Sequence, residues 1–373
     1  MRILVMAKRQ YMSKDLLDDR YGRLFELPVA LAASGHNVTA LTWSYRRRGA
    51  SFRVDAGVRW WSEDLLPFPR AHDRRLLKIV SETKPQVIWS SLDAIHVIRA
   101  VRLGRKLGIP VVVDLYDDYE SYGLTSTLGL SRSLRRACSQ ASGLSVISHT
   151  LANLVRERSP GARVVSVIGN GVPEDFRSRG SRGEARRKLG LPLDAVLIGT
   201  AGALDTSRGI EDLLQAFVQL RRSRPNVQLV VAGPRDSVTS EAIAKMDGVI
   251  DLGRMAHDQV PWLYTALDAG VVCNRDSAFG RACHPQKLVE MTACELPAVV
   301  AAVGDVALLL NEVNLYPPGD ALALANRLER QLEAPTKAPP SMALRWSELA
   351  IRLETLLQEV VDAHEKGALL DLP

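Results

Sequence analysis

A chain of 373 residues exceeds one ordinary hydrophobic core, so two domains are expected. A hydrophobic share of 46% and a charged share of 24% are those of a soluble globular protein. No apolar run reaches the roughly 18–20 residues that span a bilayer, and the net charge of +6 is unevenly spread. Residues 1–175 hold 26 Lys and Arg against 17 Asp and Glu; the remainder holds 22 against 25. A basic first half suits an anionic partner such as a phosphorylated acceptor or a membrane surface, or else only solvates helix faces. No basic stretch is interleaved with aromatic residues, which argues against nucleic acid. Cys138, Cys273, Cys283 and Cys294 are scattered without a metal-ligand spacing, so reduced thiols in a reducing, cytoplasmic compartment are expected.

The first apolar run, residues 2–7, is too short for a signal peptide and predicts a buried strand. Residues 22–34 predict a helix, with Leu24, Leu27 and Leu31 at helical spacing. Strands follow at 37–43, 86–90, 110–115 and 143–148, with helical patterns between them, as at 93–107. Strands that are apolar throughout and separated by helices imply a parallel sheet covered on both faces, a doubly wound α/β domain. Residues 173–192 are polar and basic and are expected to be a linker with a short helix. The pattern restarts with strands at 195–200, 228–233, 249–253, 269–273 and 297–301, and a helix from about 209. A last helical stretch, 342–366, follows Pro335, Pro339 and Pro340 and is expected to return to the first domain. The expected division is 1–172, 173–192, 193–341 and 342–373: two Rossmann-like domains, a linker and a closing helix. Ligands of such sheets bind beyond the carboxyl ends of the strands, so a central cleft is expected.

Five segments carry more specific information. Val167 to Pro173 contains Asn170-Gly171, a pair suited to a turn with positive φ. Gly199 to Ala216 runs from a strand through Gly202 and Arg208 into a helix; a glycine admits a phosphate close to the backbone, and a guanidinium beside a helix start pairs with its oxygens. His284 to Val300 places Lys287 and Glu290 three residues apart at the start of a helix. A carboxylate there can accept from two vicinal hydroxyls at once. Asp251 to Tyr264 includes Arg254 and Met255, and Val112 to Asp118 ends a strand in Asp114, Asp117 and Asp118.

Together these segments resemble the retaining GT-B glycosyltransferases of family 4, the glycosyl transferases group 1, over most of the chain and most strongly from about 165 to 301. The resemblance implies a GT-B fold of two facing Rossmann-like domains. It implies an enzyme that moves a sugar from a nucleotide-sugar donor to a hydroxyl of a glycan, glycolipid or other acceptor, in bacterial surface-polysaccharide assembly. Donor contacts are then expected at Gly22, Gly202, Arg208, Arg254, Met255, His284, Lys287, Leu288 and Glu290, with Glu290 on the ribose and Arg254 and Met255 beside the base. Arg208 and Lys287 would stabilise the departing diphosphate, and Asp117 would face the donor sugar. No cofactor and no metal are required in this scheme, since the basic residues take the part of Mg²⁺; the acidic trio after residue 113 is the alternative metal reading.

The chain departs from the family pattern at three positions. A second basic residue is replaced by Ala203, the first of two glutamates by Ala282, and Pro285 lacks an N–H. Ala203 and Ala282 keep open a non-catalytic nucleotide-sugar-binding subunit, and a GT-B sugar-nucleotide epimerase would use the same donor pocket. A dehydrogenase is disfavoured, because no G-x-G-x-x-G follows a strand. The basic face around Arg132, Arg135 and Arg136 is expected to meet anionic lipid at the inner face of a membrane.

Overall fold

The computed structural model describes the chain except residues 12–13, 66–68, 92, 122–124, 126–128 and 368–373. Two compact units emerge, Met1–Asn170 with Arg345–Pro373, and Gly171–Leu344.

The first unit is built on an eight-stranded sheet. Its strands are β1 (Arg2–Lys8), β4 (Asn37–Ser44), β5 (Ser51–Asp55), β6 (Val58–Asp64), β7 (Val87–Ser91), β8 (Val111–Leu115), β9 (Gly143–Val146) and β10 (Val164–Val167). A two-stranded ribbon, β2 (Gln10–Tyr11) with β3 (Lys14–Asp15), follows β1. The order is β10-β9-β8-β7-β1-β4-β6-β5, parallel except for the antiparallel edge strand β5. Every residue of β7, β8 and β9 is buried, as expected for strands covered on both faces. The chain leaves β1 for β4 and β6, then returns to β7 on the other side of β1. The strand order therefore reverses between β1 and β7, which opens a crevice at their carboxyl ends. The β5–β6 hairpin turns on Ala56 (φ 48°) and Gly57 (φ 78°), a pair of left-handed residues matched to the strand twist.

The second unit has six parallel strands: β11 (Val196–Ala201), β12 (Val227–Ala232), β13 (Val249–Asp251), β14 (Ala269–Val272), β15 (Ala298–Ala301) and β16 (Leu315–Tyr316). Their order, β13-β12-β11-β14-β15-β16, reverses between β11 and β14. Phe217, Leu213, Leu324 and Leu328 belong to one core cluster of this unit, and Leu263, Tyr264, Leu288 and Met291 to the other.

The stretch 173–192 is not a free linker. It belongs to the second unit, and the chain changes unit between Asn170 and Gly171. Its helix Arg182–Leu189 starts at a reciprocal Ser181–Glu184 cap and ends at Gly190 (φ 66°). Arg186 is 5% exposed and donates to the carbonyls of Ala266, Leu193 and Ala195 and to Asp268. A basic composition thus concealed an arginine that is an internal strut. The closing helix, Trp346–Glu365, belongs to the first unit and lies along Arg23–Ala33. Gly143 on β9 admits it closely, since a Cβ there would come within 2.9 Å of Val360. Ile351, part of the apolar spacing of this helix, is exposed.

Candidate functional site

In the second unit Gly202, Arg208, Lys287 and Glu290 come together at the β11/β14 crevice. Gly202 follows β11 with φ 96°, and a Cβ there would lie 2.9 Å from Lys287 Cε. Gly233, after β12, has φ 135°, and a Cβ on it would overlap the Gly202 carbonyl at 2.1 Å. The Gly233 overlap is with backbone and only glycine permits it, whereas at Gly202 it is the positive φ that favours glycine. Beyond Gly202 the turn Thr206–Arg208 is capped by Asp205, whose carboxylate accepts from the Arg208 N–H at 3.1 Å. Gly209 (φ 76°) then reverses the chain into the helix Ile210–Ser223. The half-buried Arg208 guanidinium lies 4.4 Å from the ring centre of Phe279, on the short helix after β14. Arg208 thereby connects the two sides of the crevice.

Lys287 is the second residue of the helix Gln286–Ala293 and donates from Nζ to the Ala203 carbonyl at 3.0 Å. At position 203, where the family pattern has a cation, the backbone carbonyl is thus an acceptor for the Lys287 ammonium. Part of the Lys287 side chain reaches solvent, yet burial pulls its ammonium down to about 8. The Arg208 charge acts in the same direction, while Cys273, Glu290 and Asp205 oppose it. Arg208, Lys287 and Glu290 therefore share one electrostatic neighbourhood. Burial also pushes the Cys273 thiol up to about 11.

This position of Lys287 has a pH consequence. Its ammonium is charged below about 8 and is lost as the pH rises through that value. Because kcat/KM reports the free enzyme, it is expected to fall along a basic limb near pH 8. An anion held at Lys287 would favour the charged form and move the limb in kcat to higher pH. Lys287→Arg removes the limb, since a guanidinium stays protonated throughout. A pH profile measured from 6.5 to 9.5 checks this, and a wild-type kcat/KM that stays level above pH 8 contradicts it.

Glu290, one turn beyond Lys287, is 5% exposed. His257 Nε2 lies 2.9 Å from its Oε1, and the Tyr264 hydroxyl donates to Oε2 at 3.5 Å. His257 was missed as a site residue, although it stands in the segment Asp251 to Tyr264. Arg254 is exposed, Met255 is half-buried against the core, and His284 is half-buried. Leu288 does not offer a donor surface through its side chain: it is fully buried, and its N–H donates to Pro285. Ala282 is fully buried at the end of the helix Ala278–Ala282.

In the first unit Gly22 (φ 78°) opens the helix Arg23–Ala33. Arg23, next to it, is not available to a ligand. Its side chain is fully buried, bidentate on Asp114 at 2.5 and 2.8 Å, and donates to the Ile168 and Gly169 carbonyls. Asp118 is paired with Arg158 at 2.7 Å. Two members of the acidic trio are thus committed to arginines. Asp117 is half-buried; its Oδ1 accepts from the Asp118 N–H, and its charge reaches Lys8. Lys8 ends β1, where burial lowers its pKa against the charges of Asp93 and Asp117. At Asp93 burial acts to raise the pKa, but hydrogen bonds from His96 and Tyr45 and the Lys8 charge outweigh it and hold the carboxyl at about 2.

Two family descriptions match the chain in order: the glycosyl transferase 4-like domain over residues 23–171 and glycosyl transferases group 1 over 195–334. TuaC of Bacillus subtilis (strain 168), a glycosyltransferase named for teichuronic acid biosynthesis, is 27% identical over 272 residues, which is 71% of this chain and 67% of that protein. The D-inositol 3-phosphate glycosyltransferase of Saccharomonospora viridis is 30% identical over 195 residues, 48% of this chain and only 44% of the relative. Among solved structures, Anabaena HepE in complex with UDP-glucose superposes with a TM-score of 0.71 at 16% identity, over 98% of this chain and 100% of the other. At that identity the likeness concerns the fold. Both halves of the sequence are matched and the architecture is shared almost end to end, so the protein belongs to the glycosyl transferases group 1 family and has the GT-B fold.

Proposed function

We propose that the chain transfers a sugar, with retention, from a nucleoside-diphosphate sugar to a hydroxyl of a glycan or glycolipid, in the cytoplasmic assembly of a bacterial surface polysaccharide. The observation that carries this reading is the shared neighbourhood of Arg208, Lys287 and Glu290 at the β11/β14 crevice. The relative named for teichuronic acid biosynthesis and the neighbour holding UDP-glucose support it. Glycosyl transfer builds negative charge on the departing diphosphate, and preorganised cations lower that barrier. Arg208 and Lys287 supply two, so the scheme needs no metal ion. Glu290 accepts hydrogen bonds from the ribose hydroxyls. Attack from the face of departure needs no enzyme nucleophile, and the acceptor proton passes to the released phosphate oxygen. The role of Asp117 toward the sugar rests on the sequence resemblance.

The test is a thermal-shift screen with nucleoside diphosphates and their sugars, followed by product analysis with lipid-linked and glycan acceptors. A nucleotide-sugar epimer formed from donor alone, or donor binding without turnover on any acceptor, overturns the transferase reading. Glu290→Ala is expected to weaken donor binding by about 1–3 kcal/mol, because buried hydroxyls lose their acceptor. Unchanged affinity by calorimetry removes Glu290 from the donor site.

Among the described residues no helix is long and apolar enough to cross a membrane. Arg132 and Arg136 are exposed on the helix Ser131–Gln140, whereas Arg135 is paired with Glu120 at 2.7 Å. We infer that this face meets anionic lipid. Co-sedimentation with phosphatidylglycerol vesicles at low salt is expected and is lost in the Arg132→Glu/Arg136→Glu variant; wild-type protein that stays in the supernatant contradicts it.

A further inference from the structure

We propose that His257 is a positioning residue that holds the Glu290 carboxylate in the orientation that reads a ribose; this rests on the assignment of Glu290 to the donor. Glu290 is nearly fully buried, and burying a carboxylate is costly unless hydrogen-bond donors meet it. Among the described residues its hydrogen-bond partners are His257 and Tyr264. The Tyr264 contact is long at 3.5 Å, so the firm one is His257 Nε2 to Oε1 at 2.9 Å. To bond a carboxylate, that nitrogen must carry its proton.

The imidazole is itself held. Its ring stacks on Phe176, centroids 5.1 Å apart at 30°, and Phe176 is buried. His257 stands on the turn His257–Gln259 after β13, and Glu290 on the helix leading to β15. The bond therefore joins two elements at the rim of one crevice and restrains a side chain with three rotatable bonds. A carboxylate has about four acceptor positions. With one taken by His257, enough remain for two vicinal hydroxyls, and a carboxylate already oriented loses less freedom when they arrive.

The test compares nucleotides that do and do not carry the second hydroxyl. The probe is whichever of UDP, GDP and ADP raises the melting temperature of the wild type most, with its 2′-deoxy counterpart, both titrated by calorimetry. His257→Phe keeps a ring against Phe176 but cannot donate; His257→Gln keeps a donor. Wild type is expected to favour the ribonucleotide by about ten-fold or more, as a site built around a hydroxyl rejects the analogue without it. In His257→Phe that preference is expected to fall to within about three-fold, through weaker ribonucleotide binding, and in His257→Gln to recover. A simple packing role would weaken both nucleotides alike and leave the ratio intact. His257→Ala serves if the phenylalanine variant does not fold. Wild-type discrimination retained in the non-donating variant overturns the proposal and spares the Glu290 assignment. A wild type indifferent to the 2′-hydroxyl overturns the Glu290 assignment itself.

Discussion

Arg208→Ala is expected to lower turnover by about 10²–10³-fold, the effect of removing one preorganised donor from a centre of developing charge. The loss should fall mainly on kcat rather than on donor KM, because the charge that Arg208 meets grows in the transition state. The guanidinium is held by contacts within the fold. Its cap by Asp205 fixes the turn, and the Phe279 ring face, 4.4 Å away, holds the cation. Its charge also helps lower the Lys287 pKa, so two like charges are held close together. A diphosphate relieves that repulsion, and a leaving diphosphate relieves it further. Arg208→Lys should recover only part of the rate, since an ammonium keeps the charge but not the fork. Steady-state kinetics with the cognate donor decide the matter, and an unaltered turnover number in Arg208→Ala removes this residue from the chemistry.

Asp114→Ala is expected to destabilise the first unit by about 3–5 kcal/mol, the cost of leaving one partner of a buried ion pair alone. The carboxylate is fully buried and accepts from Arg23 through both oxygens, from Ser91 Oγ at 2.5 Å and from Ser145 Oγ at 2.6 Å. Removing it strands a buried guanidinium and two hydroxyls. Through Arg23 the pair also ties the start of the helix Arg23–Ala33 to β8 and to the carbonyls after β10. The double variant Arg23→Met/Asp114→Leu is expected to recover much of the loss, because replacing both charges removes the desolvation cost as well as the attraction. Urea denaturation measures both. An Asp114→Ala protein within about 1 kcal/mol of wild type would show that the pair is not the strut described.

The strands were legible because they are buried on both faces. A continuous apolar run such as Ala298 to Ala301 has few other stable uses, and the repetition of strand and helix required two parallel sheets. Lys287 and Glu290 were legible for a local reason: three residues apart on one helix, they share a side whatever the rest of the chain does. Gly202 and Arg208 were legible because a strand end, a glycine and a helix start follow one another within a few residues. The β5–β6 hairpin escaped notice, since Ala56 at φ 48° is not the asparagine or glycine that such a turn ordinarily shows.

What the tertiary structure alone decided is which distant groups meet. Glu290 and His257 lie 33 residues apart, Arg23 and Asp114 lie 91 apart, and Arg208 finds Phe279 only because β11 and β14 are neighbours across the reversal of strand order. Pattern and propensity act over one or two turns, whereas these pairings follow from sheet order and the cost of burying an unpartnered charge. The same cost accounts for two buried arginines. Arg186, within the stretch expected to be a basic linker, and Arg23 are each buried among carbonyls and a carboxylate that only the folded chain supplies. The sequence determined by itself the strands, the glycine turns and the short-range cationic motif; packing decided which charges stand at the crevice and which are buried as ties within the fold.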